Sequence, residues 1–389
     1  MIDSPSAIFY RRSSVLYSRS SFEKLPMKKK LRVGLLFGGK SAEHEISLIS
    51  ARNIVEAMDK TKYDVVAIGI DKQGRWHLDE GARLLHGMAQ PEVAFKDAEN
   101  IAAVRPGDTA TPVVRSKGSG LGAIDVVFPV LHGPFGEDGT VQGLLKLANI
   151  PFVGAGVLGS AVGMDKDVMK RLLRDAKIPI ANFVVFERAE QAAIRFAKVK
   201  KMLGLPLFVK PANLGSSVGI SKVIKENQFT DAVRTGFRYD NKIIIEEAIR
   251  GREIECSVLG NEKPVASLPG EIVVQRDFYS YDAKYLDDQG ARFEIPARLP
   301  KKVVKEIQQT ALRAYRALCC EGMARVDFFL RPDGKVLVNE INTIPGFTKI
   351  SMYPKMWEAT GLSYSRLIDR LIGLALERAR HEKHLRTSK

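Results

Sequence analysis

Apolar and polar positions alternate along this chain in two rhythms. Leu31–Phe37 is an apolar run that predicts a buried strand. Gly38-Gly39 turns it, and Ser41–Met58 then carries helical spacing, with Ile46, Ile49, Ile54, Val55 and Met58 expected to face inward. Tyr63–Ile70 and Asp125–Leu131 read as further strands. Strands alternating with helices predict a parallel, Rossmann-like sheet for residues 31–150. Asp165–Ala176 reads as an amphipathic helix with Val168, Leu172 and Leu173 on one side. Pro206–Lys210 and Ile220–Val223 are short strands around a Gly/Ser loop, which suggests a small α+β middle domain at 151–240. Strands near 243–247, 253–259, 323–330 and 335–341 suggest a third, mixed domain at 241–389. The fold class is therefore mixed α/β, in three parts.

The densest chemistry lies in the last two of those strands. Ala324–Leu330 and Lys335–Asn342 flank Arg331-Pro332-Asp333-Gly334, a hairpin signal. With an even-numbered connection, Arg325 lies opposite Glu340 and Asp327 opposite Val338. Arg325, Asp327, Glu340 and Asn342 then share one face, because side chains alternate along a strand. Two carboxylates and a carboxamide oxygen crowded together suit a hard cation such as Mg²⁺ bridged to phosphates. An odd-numbered connection would turn one strand over and scatter the set. The competing reading is an exposed hairpin face decorated with charges.

Composition narrows the class. The 389 residues are 45% apolar and 27% charged, as in globular proteins, and have room for two or three domains. No apolar run reaches the roughly 18 residues of a membrane helix, so no membrane partner is expected. The 3 cysteines, Cys256, Cys319 and Cys320, fit neither a disulfide framework nor a Cys-ligated zinc site, and a reducing compartment is expected. The net charge of +15 gathers partly at the two ends. No basic stripe interleaved with aromatics accompanies it, so solvated basic tails are favoured over nucleic-acid binding. Residues 1–30 form a basic, Ser- and Arg-rich extension, read either as a transit-like segment or as an upstream start before Met27.

Two familiar patterns occur without their context. Gly34–Ser41 matches GxxxxGK[ST], but Leu35-Leu36-Phe37 belong in the strand and leave only Gly38-Gly39 for a phosphate loop. Gly154–Gly159 matches GxGxxG, but no acidic residue stands where a ribose partner would follow. Better chemistry lies in Phe208–Ile220, a strand, a Gly/Ser loop and a strand, whose backbone N–H groups, Ser hydroxyls and Lys210 can meet phosphate. Ile243–Ile249 ends in acids that can hold ribose hydroxyls. Leu131–Gly139 is a Gly-rich loop after a strand, where α/β sheets place ligands.

The order Ser41-Ala42-Glu43-His44-Glu45-Ile46-Ser47-Leu48, His132-Gly133, Gly136-Glu137-Asp138-Gly139, Met164-Asp165-Lys166, Lys210-Pro211, Gly215-Ser216-Ser217-Val218-Gly219, Ala283-Lys284-Tyr285, Arg325-Val326-Asp327 and Asn339–Gly346 resembles the D-alanine–D-alanine ligases, over roughly residues 31–375. The resemblance implies the ATP-grasp fold and a reaction in which ATP phosphorylates one D-alanine and a second attacks the acyl phosphate. It implies two Mg²⁺ (Mn²⁺ as a substitute) on Asp327, Glu340 and Asn342. Arg325 and the Gly346 N–H would steady the developing charge. Lys166, Lys210, Ser217 and Lys284 would meet the ATP phosphates, and Glu246, Glu247, Ile249 and Glu253 the adenosine. By the same resemblance Glu45 pairs with the first D-alanine's ammonium and is linked through Ser216 to Tyr285. His132 lies near the first substrate, and Ser351 and Met352 hold the second substrate's carboxylate. Tyr285 in an Ala-Lys-Tyr context favours an amine nucleophile over D-lactate. A homodimer acting in peptidoglycan synthesis is the family's usual setting.

Overall fold

The computed structural model describes residues 30–78, 102–104, 113–115, 123–274 and 291–386. The first sheet uses β1 (Leu31–Gly38), β2 (Tyr63–Ile70) and β3 (Trp76–His77); a separate two-stranded ribbon, β4 (Ala102–Val104) and β5 (Val113–Arg115), precedes β6 (Val126–Val130). The sheet order is β3-β2-β1-β6, with β1 parallel to both β2 and β6. All five residues of β6 and the last six of β1 are buried, as expected of a parallel sheet covered on both faces. Gly38 ends β1 with φ +92, and a Cβ there would lie 2.1 Å from the Ile70 oxygen, so only glycine makes this exit. It releases the chain into α1 (His44–Ala57) above the carboxyl edge of the sheet.

Helix α1 does not present the expected face. Ile54 and Met58 are buried, but Ile49 is exposed and Ile46 only partly covered. Ser47 and Ser50 face inward instead. Ser47 Oγ donates to the Val130 carbonyl and accepts from the Gly38 N–H at 2.7 Å; Ser50 Oγ accepts from the Phe347 N–H at 3.2 Å. Small hydroxyls let the helix lie close to two chain segments and leave the isoleucines to line a cavity.

After α2 (Thr140–Leu147) and α3 (Val157–Met164), α4 (Lys166–Asp175) begins on an Asp165 cap that accepts from the Asp167 and Val168 N–H groups, both at 3.0 Å. Its inward face is again rotated from the expected one. Leu173 is buried, whereas Leu172 is exposed, and Lys166, Met169 and Lys170 complete the buried stripe. An antiparallel sheet follows, ordered β7-β10-β8-β9, from β7 (Phe183–Glu187), β8 (Leu207–Pro211), β9 (Ser221–Val223) and β10 (Lys242–Glu247). Helices α5 (Phe196–Leu203) and α6 (Phe229–Tyr239) share its core.

The third sheet runs β14-β13-β11-β15-β16, with β12 (Val265–Ala266) beside β11 (Arg252–Leu259). Its other strands are β13 (Gly270–Val274), β14 (Ala291–Glu294), β15 (Met323–Leu330) and β16 (Val336–Asn342). One face, with Ile254, Cys256, Val326, Phe328 and Ile341, packs on Ile307, Ala311 and Ala314 of α7 (Lys301–Ala317). The opposite face is left for Glu253, Glu255, Arg325 and Asp327. The last helices, α8 (Met352–Ala359) and α9 (Tyr364–Lys383), return to the first sheet, where Tyr353, Leu367 and Leu371 share a core with Val33, Leu48 and Phe128.

Candidate active site

The hairpin of β15 and β16 gathers the four polar residues by a route the pattern did not reveal. Leu330 pairs with Val336, so the connection Arg331–Lys335 has five residues, an odd number. Carried along the strands, that register would put Glu340 and Asn342 on the apolar face. A bulge corrects it. Phe328 pairs with Val338, but Asp327 pairs with Glu340, leaving Asn339 as the extra residue. Arg325 therefore lies opposite Asn342, and Asp327 opposite Glu340, rather than one pair earlier as expected. The face is as expected, whereas the partners are not.

On that face Arg325 is held by acids. Its Nε and Nη2 donate to the two oxygens of Asp327, both at 2.7 Å, and Nε lies 3.0 Å from Glu255 Oε2. Burial opposes the positive charge, but Asp327 and Glu255 outweigh it and lift the guanidinium's pKa well above its ordinary value. Asn342 Nδ2 donates to Asp327 Oδ2 at 2.9 Å. Glu340 Oε2 stands 3.9 Å from Lys166 Nζ. Among the described residues no group of three or more His, Cys, Asp or Glu forms a self-sufficient metal cage. Two carboxylates and one carboxamide make an incomplete oxygen shell, which fits a cation whose other ligands come from a phosphate.

Two cavities meet at this hairpin and share Gly215, Ser216, Glu253 and Glu340. The larger, about 750 Å³, is lined by Lys166, Lys210, Ser217, Glu246, Glu247 and Ile249. Beneath it Glu246 is 3% exposed, with Lys210 Nζ donating to Oε2 at 2.6 Å and Lys170 Nζ 3.0 Å from Oε1. Burial opposes ionisation of Glu246, but the two ammonium groups outweigh it and hold its pKa down to about 2. The same carboxylate more than offsets burial at Lys210, whose pKa is raised. Burial lowers that of Lys166. Glu247 accepts from the Asn182 N–H at 2.7 Å.

The second cavity, about 540 Å³, is lined by Glu43, His132, Glu137, Arg325, Asp327, Asn342, Gly346, Ser351 and Met352. Here one expectation is corrected. Glu45 does not reach the cavity; its carboxylate is half exposed and pairs with Lys72 at 2.6 Å. Ser216 Oγ donates instead to Glu43. Two residues along a helix turn a side chain by about 200°, so Glu43, at the start of α1, and Glu45, in its first turn, face apart. Ser216 and Ser217 both adopt left-handed backbone (φ 50 and 60), which bends their loop toward Glu43. Ser351 Oγ accepts from the Thr348 N–H at 2.9 Å, and a Cβ on Gly346 would meet that Oγ at 2.8 Å. Lys284 and Tyr285 lie outside the described residues.

Four residues of these walls were not singled out from the sequence. Glu43 stood beside the residue chosen in its place. Glu137 belongs to the Gly-rich loop already noted, and burial together with the nearby Glu43 raises its pKa to about 8. Glu255 follows Glu253 by two, and strand alternation alone puts both on one face. Lys170 follows Lys166 by four, the spacing of one helix face.

The sequence matches two family models, "D-ala D-ala ligase N-terminus" over residues 32–155 and "D-ala D-ala ligase C-terminus" over residues 172–373. It is 54% identical over 366 residues to the D-alanine–D-alanine ligase of Oceanobacillus iheyensis, covering 93% of this chain and 99% of that one. The D-alanine–D-alanine ligase A of Escherichia coli K12 is 53% identical over 362 residues, covering 92% of this chain and 100% of that one. Among solved structures, the D-alanine-D-alanine ligase from Coxiella burnetii superposes with a TM-score of 0.80 at 44% identity, covering 91% of this chain and 96% of that one. The VanG D-Ala:D-Ser ligase from Enterococcus faecalis superposes with a TM-score of 0.79 at 37% identity, covering 89% and 100%. The chain belongs to the D-alanine–D-alanine ligase family, with the ATP-grasp fold of that family.

Proposed function

We propose that this enzyme joins two D-alanines to D-alanyl-D-alanine at the expense of ATP, for the synthesis of peptidoglycan precursors in the cytoplasm. The observation that carries the reading is the meeting of a lysine-walled cavity and a carboxylate-walled cavity at one hairpin face bearing Arg325, Asp327, Glu340 and Asn342. ATP as substrate occupies the larger cavity. Its adenine lies along Glu247–Ile249, its ribose near Glu253, and its phosphates near Lys166, Lys210 and Ser217. The first D-alanine places its ammonium at Glu43, supported by Ser216. Its carboxylate oxygen attacks the γ-phosphorus and ADP leaves. The amine of the second D-alanine, held by its carboxylate at Ser351 and Met352, attacks the acyl carbon. The tetrahedral intermediate expels phosphate, with Arg325 and the Gly346 N–H facing the charge that develops on oxygen. The incoming ammonium gives up a proton before it attacks.

Asp327, Glu340 and Asn342 are the residues that would hold Mg²⁺, two ions in the full complex with Mn²⁺ able to substitute. Bound Mg²⁺ supplies neutralisation of charge on the transferring phosphoryl group. Lys284 and Tyr285 belong to this reading through the sequence alone, Tyr285 favouring an amine nucleophile. The enzyme acts as a homodimer. No helix among the described residues is long and apolar enough to cross a membrane.

The test is phosphate release from ATP and Mg²⁺ with D-alanine, L-alanine, D-serine or no amino acid, with the product weighed by mass spectrometry. Release that requires D-alanine and yields D-alanyl-D-alanine supports the reading. A preference for D-serine as the second substrate would move the chain toward the VanG type of specificity.

A further inference from the structure

The peptide unit of Ile344 is gripped from both sides by the loop that follows β6. Its N–H donates to Glu137 Oε1 at 3.1 Å, and its carbonyl lies 3.0 Å from His132 Nδ1. The other Glu137 oxygen accepts from the Gly133 N–H at 2.7 Å, so one carboxyl group ties the His132 loop to the Ile344 segment. Three residues on, Phe347 is held by Ser50, by Asn53 Nδ2 at 3.2 Å and by the Tyr364 hydroxyl at 2.7 Å. Between these two anchors lies Gly346.

A carbonyl oxygen can only accept, so Nδ1 of His132 must carry the proton. Nε2 then keeps the lone pair; it is buried and has no hydrogen-bond partner among the described residues. We propose that His132 and Glu137 are positioning residues that clamp the Ile344 peptide and so aim the Gly346 N–H, His132 acting through Nδ1 on that carbonyl rather than through Nε2 on the substrate. Burial lowers the pKa of His132, with Arg325 adding to it and Glu43 opposing, and keeps the ring neutral, as a one-donor clamp requires. The role assigned to Gly346 rests on the ligase reading; the protonation state of His132 does not.

The two isosteric replacements of histidine separate the roles. Asparagine places its amide N–H where Nδ1–H was, and glutamine places its own where Nε2 was. His132→Asn should keep kcat within about threefold, whereas His132→Gln should lower it by about 100-fold, the cost of misplacing a reacting group by roughly an ångström. The KM for ATP should be unchanged in both, which also reports that the fold is intact. Glu137→Gln gives one of two backbone donors an N–H in place of an oxygen and should behave like His132→Gln. Equal losses in the two His132 variants, or a larger loss in His132→Asn, would overturn the clamp. Nitrogen-15 NMR of histidine-labelled enzyme without substrates, assigned with His132→Asn, gives a second readout. A neutral ring protonated at Nδ1 is expected, and one protonated at Nε2 sinks the proposal whatever the enzyme's substrate. Failure of the ligase reading itself would appear separately, as a wild-type enzyme that makes no dipeptide.

Discussion

On the larger-cavity side of Glu340, Lys166, Lys170 and Lys210 gather near one buried carboxylate, Glu246; on the other side Glu43, Glu255 and Asp327 share a cavity wall with one guanidinium, Arg325. Lys170 and Lys210 are held by Glu246, and Arg325 by Asp327 and Glu255, and these pairings make the burial of each set tolerable. The first suits a polyphosphate, the second an ammonium. The difference teaches that a compensating ion does different work on each side. Glu246 has its two oxygens committed to lysines and serves the wall itself, whereas Arg325 lines the second cavity and is paired with Asp327, which the proposed reading also gives to a metal.

Replacing Arg325 should sharpen that contrast most. Arg325→Ala is expected to lower kcat by about 10³-fold, measured as phosphate release, with the KM for ATP little changed. A comparable rise in that KM would mean that Arg325 serves nucleotide binding. Glu246→Gln should act on the fold instead. It leaves two buried ammonium groups facing a neutral amide and should cost about 3–5 kcal/mol, read by denaturant unfolding. The wild-type pair also carries a pH signature. A native pKa of about 2 against an ordinary 4.5 means that the unfolded chain binds more protons between those values. The stabilisation is complete above pH 4.5 and is lost as pH falls through about 2, a limb that Glu246→Gln should lack. Smallest is the contrast within α1. Glu43→Gln should lower kcat/KM for D-alanine by about 100-fold, and Glu45→Gln by less than about twofold, since an exposed ion pair contributes little. Equal effects would return Glu45 to the site.

The strands were legible because their signal is apolar and short-range. Tyr63–Ile70 and Met323–Leu330 fall where the pattern put them. The helices α1 and α4 were found but misread in face, for one reason. Periodicity arguments treat serine and lysine as outward residues, and here both are buried because they bond to something distant: Ser47 to Val130, Lys170 to Glu246. Exposed isoleucines and buried lysines mark the surfaces that these helices turn toward the cavities. The choice between Glu43 and Glu45 failed for a related reason. Motif order locates a helix start but not which of two nearby acids points across it. The bulge at Asn339 left no local mark, since the connection and the extra residue compensate each other.

That compensation separates two kinds of sequence change that usually rank together. Any substitution at position 339 keeps the residue count between Val338 and Glu340, and with it the need for a bulge if Glu340 is to face the same side as Asp327. Deleting the same residue would remove the bulge with it: Glu340 would follow Val338 and pair with Asp327 in regular register, which leaves Ile341 in the core on α7 and Glu340 and Asn342 on the cavity face. The turn at Arg331–Lys335 can likewise lengthen into solvent while Leu330 stays paired with Val336. A survey of single replacements along β16 would thus miss that the register can do without this residue, because what it adds is length that the bulge absorbs.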